Sequence, residues 1–287
     1  MRKKWIFFIL PGLLLMTLIV GCDEVEKPYM EEVSQCGDAD APIPIRQILV
    51  EKFTGHKCGN CPDADEELHE LEAMYCDHII PVEIHAGYFA QASSSGKYAY
   101  DFTTSTGDEL DEYFGASEAG LPNALINRKE YNQSLILGPD KWAATISRML
   151  EKAPKADINM EAGVPEGSRE ASVDVDVSFL KQMEGSFLLT VYLLEDSIVT
   201  WQKDYDATPE DIESYPHNNV LRMAINGTWG EEIISGNVNE GKLVNKEFHF
   251  TVDEEWRINQ CKIVAYIYDE STKQVIQAAR TELKYNQ

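Results

Sequence analysis

Ile48-Leu49-Val50-Glu51-Lys52-Phe53-Thr54-Gly55-His56-Lys57-Cys58-Gly59-Asn60-Cys61-Pro62 is the stretch on which the fold of this chain turns. Ile48 to Phe53 is a short run of strand type, ended by Thr54-Gly55. Pro62 stands where a first helical residue belongs, and Ala64, Leu68, Leu71 and Tyr75 follow at helical spacing with acids on the opposite face. Cys58-Gly59-Asn60-Cys61 therefore sits at a strand-to-helix junction. A thiol placed there has its thiolate stabilised by unpaired backbone N–H groups and by the helix dipole, with His56 and Lys57 adding positive charge nearby. That context reads as redox rather than zinc. No second CxxC or His pair stands at ligand spacing, and His56 and His69 are too few to close a metal site. The chemistry needs no metal or organic cofactor.

Further along the chain, Ile80-Pro81-Val82-Glu83-Ile84-His85 reads as the next strand, and Gly120-Leu121-Pro122-Asn123-Ala124-Leu125-Ile126 places a proline directly before a third. A helical stretch near Asp108 to Phe114 lies in the segment between them, and Pro139 to Lys152 reads as a closing helix. Strand, CxxC, helix, strand, then proline before a strand resembles the thioredoxin superfamily. The resemblance implies a cis Pro122 against the disulfide, shaping a substrate groove, with Cys58 as the attacking or accepting cysteine and Cys61 as the resolving one. Departures weigh against an efficient enzyme: Lys57 replaces the family's tryptophan, and Asn60 replaces its proline. Glu51 lies one residue further upstream than the family's buried acid, and reads as a solvated strand carboxylate before it reads as a proton relay. Acids at 63, 65, 66 and 67 crowd the helix start and oppose a thiolate at Cys58. A permanently closed, structural disulfide is the competing reading.

The N-terminus supplies the compartment. Arg2, Lys3 and Lys4 precede an apolar block from Trp5 to Val20 that is too short for a bilayer span and contains Pro11 and Gly12. Residues 1–21 read as a signal peptide, and Leu18-Ile19-Val20-Gly21-Cys22 resembles a bacterial lipobox with Cys22 as the acylated residue. Asp23-Glu24-Val25-Glu26 resembles a surface-export signal of Bacteroidetes lipoproteins; a tether facing the periplasm is the alternative. Residues 22–44 read as an acidic tether. The 287-residue chain carries 25 Lys and Arg against 49 Asp and Glu, a formal charge of −24. Removing the signal peptide takes three cations and no acid, leaving 22 against 49, or −27. Such a balance excludes nucleic acid as a partner, because phosphate is bound by clustered Lys and Arg. The partners implied are a membrane, through the lipid on Cys22, and protein thiols or disulfides. The residues do not fix an oligomeric state.

Six cysteines stand at 22, 36, 58, 61, 76 and 261. Cys261 shares strand parity with Ile263, Ala265 and Ile267 and reads as a buried core thiol. Cys36 and Cys76 remain as a pair by elimination. From about Lys155 the period becomes two: Val173, Val175, Val177 and Phe179 alternate with Asp174, Asp176 and Ser178, and strands are expected at 188–194, 248–252, 263–267 and 275–283. Asp174 and Asp176 are then the wet face of a strand rather than calcium ligands. His217 with Arg222 reads as a hydrogen-bonding cluster that orders a long loop. The fold expected is an α/β thioredoxin-like domain over 45–154 followed by an all-β immunoglobulin-like sandwich over 155–287.

The phrase from Val50 to Pro62 resembles the twenty-eight-kilodalton outer-membrane-protein-related lipoproteins of Bacteroidetes. So do His217-Asn218-Asn219-Val220-Leu221-Arg222 and Asn226-Gly227-Thr228-Trp229-Gly230. The resemblance covers both halves of the chain and implies an outer-membrane lipoprotein carrying the two domains above. Two functions follow as expectations: an anchored extracytoplasmic thiol–disulfide oxidoreductase, or a surface binding and assembly protein in which Cys58–Cys61 is structural.

Overall fold

The computed structural model describes residues 44–286. The expected signal peptide, most of the tether, Cys22 and Cys36 lie outside them. Strand β1 (Ile48–Thr54) is buried at every position, as befits a strand covered on both faces. Helix α1 (Cys61–Tyr75) follows with Pro62 in its first turn and buries Ala64, Leu68, Leu71 and Tyr75. Strand β2 (Ile79–His85) lies parallel to β1, in register from Ile48 opposite Ile79 to Thr54 opposite His85. Helix α2 (Ser105–Phe114) is capped by Thr104, whose hydroxyl accepts the Gly107 N–H at 2.9 Å. Strand β3 (Asn123–Ile126) runs antiparallel to β1, and helix α3 (Trp142–Leu150) packs Trp142, Ile146 and Met149 with α1 over Ile48, Val50, Ala124 and Ile126.

The remaining elements are strands: β4 (Ala156–Val164), β5 (Glu170–Phe179), β6 (Met183–Glu195), β7 (Ile198–Lys203), β8 (Asp211–His217), β9 (Val220–Ala224), β10 (Glu231–Val238), β11 (Leu243–Thr251), β12 (Cys261–Asp269), β13 (Val275–Glu282) and β14 (Lys284–Tyr285). Eight strands share one sheet in the order β13-β12-β6-β9-β2-β1-β3, with β10 also on β6. A four-stranded sheet, β11-β5-β4-β14, packs over one region of it. Val173, Val175, Val177 and Phe179 meet Leu189, Val191, Leu193, Ile263 and Ala265 in that core, and Cys261 is buried there as a free thiol. Burial pushes the Cys261 thiol up to about 12. Asp174 and Asp176 face solvent from β5.

This architecture corrects the expected fold class. The chain is mostly β, and it does not divide into an α/β thioredoxin-like domain and a separate immunoglobulin-like sandwich. β9 lies between the two halves of the sheet, meeting β2 in parallel at Glu83 and Val220 and β6 antiparallel from Glu195 to Tyr192. The far edge also returns to the first strands, where the Val275 N–H donates to the Asn127 carbonyl at 2.9 Å and the Gln47 N–H to Gln277 Oε1 at 3.2 Å. Leu49, Phe53, Val82 and Ile84 share one core with Tyr192, Val264, Tyr266 and Tyr268. Separating the halves would expose both sets to water, at about 25 cal/mol for each Å² of apolar surface.

A buried ion pair crosses that shared core. Asn127 and Arg128 both adopt left-handed backbone, φ +48° and +47°, which turns the Arg128 side chain inward just past β3. Its guanidinium donates to both Glu51 oxygens, at 2.7 and 2.6 Å, and to the Tyr266 hydroxyl at 2.8 Å. The Tyr266 and Tyr192 hydroxyls bond each other at 2.7 Å. Burial opposes the charge on Arg128, and the adjoining Glu51 carboxylate more than offsets it, holding the guanidinium protonated. Glu51, expected on a solvated face, is 1 % exposed. Both its oxygens are taken up by Arg128, which makes it a structural partner.

Candidate functional site

Thr54 ends β1 and delivers the chain into a tight turn, in which the Cys58 N–H bonds the Gly55 carbonyl at 2.9 Å and the Cys61 N–H bonds the Cys58 carbonyl at 3.2 Å. Cys58 and Cys61 form a disulfide with Cα atoms 5.4 Å apart. The bond closes at the first turn of α1, whose N-cap residue Asn60 makes no side-chain cap. Of the leading N–H groups, that of Cys61 is engaged by the Cys58 carbonyl and Pro62 has none, so the positive end of the helix dipole is what favours a Cys58 thiolate once the disulfide opens. Cys76 is also disulfide-bonded, and the pairing expected for it with Cys36 extends beyond the described residues.

Neither cysteine lies open. Cys58 is 4 % and Cys61 1 % exposed, and the cover comes from the hairpin of β7 and β8. Lys203 N–H donates to the His56 carbonyl at 2.8 Å, Tyr205 N–H to the Gly59 carbonyl at 2.9 Å, and Gln202 Nε2 to the Cys58 carbonyl at 3.0 Å. The Tyr205 ring lies flat on Gly59, where an added Cβ would come within 2.6 Å of three ring atoms. Gly55 is equally constrained, its notional Cβ being 2.5 Å from the Phe89 backbone. Lys57 N–H bonds the Phe89 carbonyl at 3.0 Å, and Tyr88, Phe89 and Tyr205 leave an exposed aromatic rim around the turn.

The Leu121–Pro122 peptide is cis. Because Asn123 pairs with Phe53, Pro122 stands level with Thr54, at the sheet end from which the CxxC turn springs. An open cavity of about 450 Å³ adjoins it, lined by Pro122, Gly120, Phe114, Leu135 and Ile136. Neither cysteine lines that cavity.

Two groups of buried polar side chains were not anticipated. Lys52, fully buried, points under α1, where its ammonium pairs with Glu83 at 2.8 Å and with Asp65, whose other oxygen accepts the Tyr215 hydroxyl at 2.6 Å. Asp65 is one turn beyond Cys61 on the same helix face. Burial pulls the Lys52 ammonium down, against the raising influence of Glu83. A cavity of about 490 Å³ opens beside this group, lined in part by Pro62, Asp65, His69, Glu83, Tyr215 and His217.

The second group is a box of rings. His85 stacks on Phe102 with centroids 4.3 Å apart, His217 leans on the same ring at 4.5 Å, and His56 meets it edge-on at 5.6 Å. Both His85 ring nitrogens, His56 Nδ1 and His217 Nε2 are buried without a hydrogen-bond partner. Burial, reinforced by neighbouring histidines, holds His85 well below the ordinary value and His217 down to about 3; burial also lowers His56. All three are neutral at physiological pH. Among the described residues no group of three His, Cys, Asp or Glu is placed to hold a metal ion. Arg222, expected to order a loop with His217, instead lies on β9, 3.5 Å from Glu195 and over the Trp256 ring.

Residues 107–287, well over half of the chain, match the family model described as outer membrane protein Omp28. Among solved structures, HBP35 of Porphyromonas gingivalis aligns over 84 % of this chain and 76 % of its own, with a TM-score of 0.57 at 15 % identity; at that identity the likeness is one of fold. A domain of the outer membrane lipoprotein Omp28 from Porphyromonas gingivalis aligns over 47 % of this chain and 93 % of its own, at 21 % identity and a TM-score of 0.33. No curated protein matches the chain.

Proposed function

The chain belongs to the Omp28 family of outer membrane proteins, and from that premise we propose that it is a thiol–disulfide exchange protein, held at the outer membrane by a lipid on Cys22. The observation that carries this reading is the Cys58–Cys61 disulfide at the start of α1, where the positive end of the helix dipole favours the sulfur anion that exchange must form. In the reducing direction, the Cys58 thiolate attacks one sulfur of a substrate disulfide and expels the other as a thiolate. Cys61 then attacks Cys58 Sγ, releasing the second substrate thiol and regenerating the Cys58–Cys61 bond. Two electrons pass to the substrate, and the same steps reversed oxidise a dithiol. Pro122 flanks the face on which the partner would lie, and the aromatic rim of Tyr88, Phe89 and Tyr205 suits an apolar peptide segment.

One observation favours a second reading. The β7–β8 hairpin leaves both cysteines almost without exposure, which suits a structural bond in a surface binding or assembly protein. The two readings separate on the Cys61→Ser variant of the full chain expressed at its outer membrane. Exchange predicts mixed disulfides through Cys58 that dissolve in reductant, and their absence supports the structural role. Lipid attachment is read separately, as fatty-acid labelling that Cys22→Ala abolishes.

A further inference from the structure

In a chain with nearly twice as many acids as bases, one pocket gathers three cations against a single acid, Glu130. It measures about 330 Å³, lies between the segment after β3 and the outer face of α3, and is lined by Lys129, Arg148 and Lys152 around Tyr131, Asn132 and Thr145. Arg46 and Lys155 act on Lys129 from just beyond the lining. Among the described residues none of these five cations lies within 4 Å of a carboxylate. Desolvation lowers Lys129, and every neighbouring charge that acts on it, from Lys152, Arg46, Lys155 and Arg148, lowers it further. With 49 acids available in the sequence, five cations gathered with no ion pair among them and one exposed acid nearby mark a place suited to a counter-charge from outside the protein.

The pocket is also shaped. Tyr131 and Ser134 close a tight turn through reciprocal backbone bonds of 2.8 and 3.0 Å, with Asn132 in left-handed backbone at φ +49°. The Arg148 guanidinium lies over the Tyr131 ring, 6.0 Å from its centroid, so its donors are oriented before any ligand arrives. Arg46 Nε is buried with no hydrogen-bond partner. Glu130, exposed in the same lining, repels a long polyanion laid across the rim but leaves room for one compact anion between Lys129, Arg148 and Lys152.

We propose that this pocket binds a phosphate group, either of a free phosphate compound or of a lipid headgroup, independently of the cysteines. Planar guanidinium and flexible ammonium donors together match a tetrahedral oxyanion. The test uses the full chain in nonionic detergent, titrated calorimetrically with inorganic phosphate. A second arm measures its partition to vesicles of phosphatidylcholine with and without phosphatidic acid. The comparison protein is the double variant Arg148→Gln with Lys152→Gln, which alters two exposed positions, one on α3 and one just after it, and keeps the same anchor; an unchanged thermal midpoint confirms that it is folded. The proposal expects saturable binding that weakens with salt and falls about tenfold or more in the double variant, while Lys152→Arg retains it. Binding to phosphate alone identifies a soluble phosphate compound, and a response confined to phosphatidic acid identifies a headgroup. Absence of both responses, or equal affinity in the double variant, overturns the proposal.

Discussion

Replacing Arg128 with methionine tests whether the chain has one core or two. The substitution keeps the length of the aliphatic stem and removes the guanidinium that donates twice to Glu51 and once to Tyr266. Glu51 and Arg128 are 1 % and 3 % exposed, so water cannot replace the lost partner without opening the core. Leaving a buried carboxylate unpaired costs about 3–5 kcal/mol. For a protein of this size that lowers the thermal midpoint by roughly 6–20 °C, at about 2–4 °C per kcal/mol. Adding Glu51→Leu should recover most of the loss, because the pair is worth far less than either charge alone. Urea melts give the free energy, and hydrogen exchange read peptide by peptide gives its distribution. Because Glu51 is on β1 and Tyr266 on β12, protection should fall together in both strands. A cost below about 1 kcal/mol, or a loss confined to residues before 155, would refute the shared core.

The hairpin cover makes a kinetic prediction. Tyr205 is 55 % exposed, so Tyr205→Ala surrenders the half of its ring that covers Gly59, about 1–1.5 kcal/mol. Reduction of Cys58–Cys61 by dithiothreitol should quicken about tenfold, and an unchanged rate would show that the hairpin does not limit access. The ring box predicts acid lability of definite sign. His217 titrates at about 3 in the folded chain and near 6.5 when unfolded, so the unfolded state binds the extra proton as pH falls. Stability contributed by neutral His217 is full above about 6.5 and is lost downward toward 3, at up to about 1.4 kcal/mol per pH unit. Urea melts between pH 7 and 5 should show a shallower decline for His217→Gln; an identical slope would remove His217 from the account.

Much of the first hundred residues of folded chain was legible. Ala64, Leu68, Leu71 and Tyr75 announced the buried stripe of α1, and the strands at β1, β2 and β3 fell where apolar runs met Gly and Pro signals. The single sheet was not legible, because its bridge is β9, five residues whose Arg222, Met223 and Ala224 are only half-buried. Nothing in Val-Leu-Arg-Met-Ala distinguishes a strand between two partners from a loop. The inward charges were hidden for a related reason. Glu51 and Lys52 are adjacent, so a strand reading sends one to each face and assigns one of them to water, whereas β1 is covered on both faces. Their signal was present nonetheless: two charges inside a continuous apolar run of parallel-strand type imply buried partners. The hairpin cover left a single trace, the glycine inside the CxxC, whose missing Cβ admits the Tyr205 ring.

The reduction potential of Cys58–Cys61 bears most directly on the proposed activity. It is measured on the full chain in nonionic detergent, equilibrated in graded mixtures of reduced and oxidised dithiothreitol and quenched by thiol alkylation. Exchange chemistry predicts a potential above about −300 mV, within reach of partner thiols. A value below that marks a bond that stays closed for the life of the protein and would contradict the account.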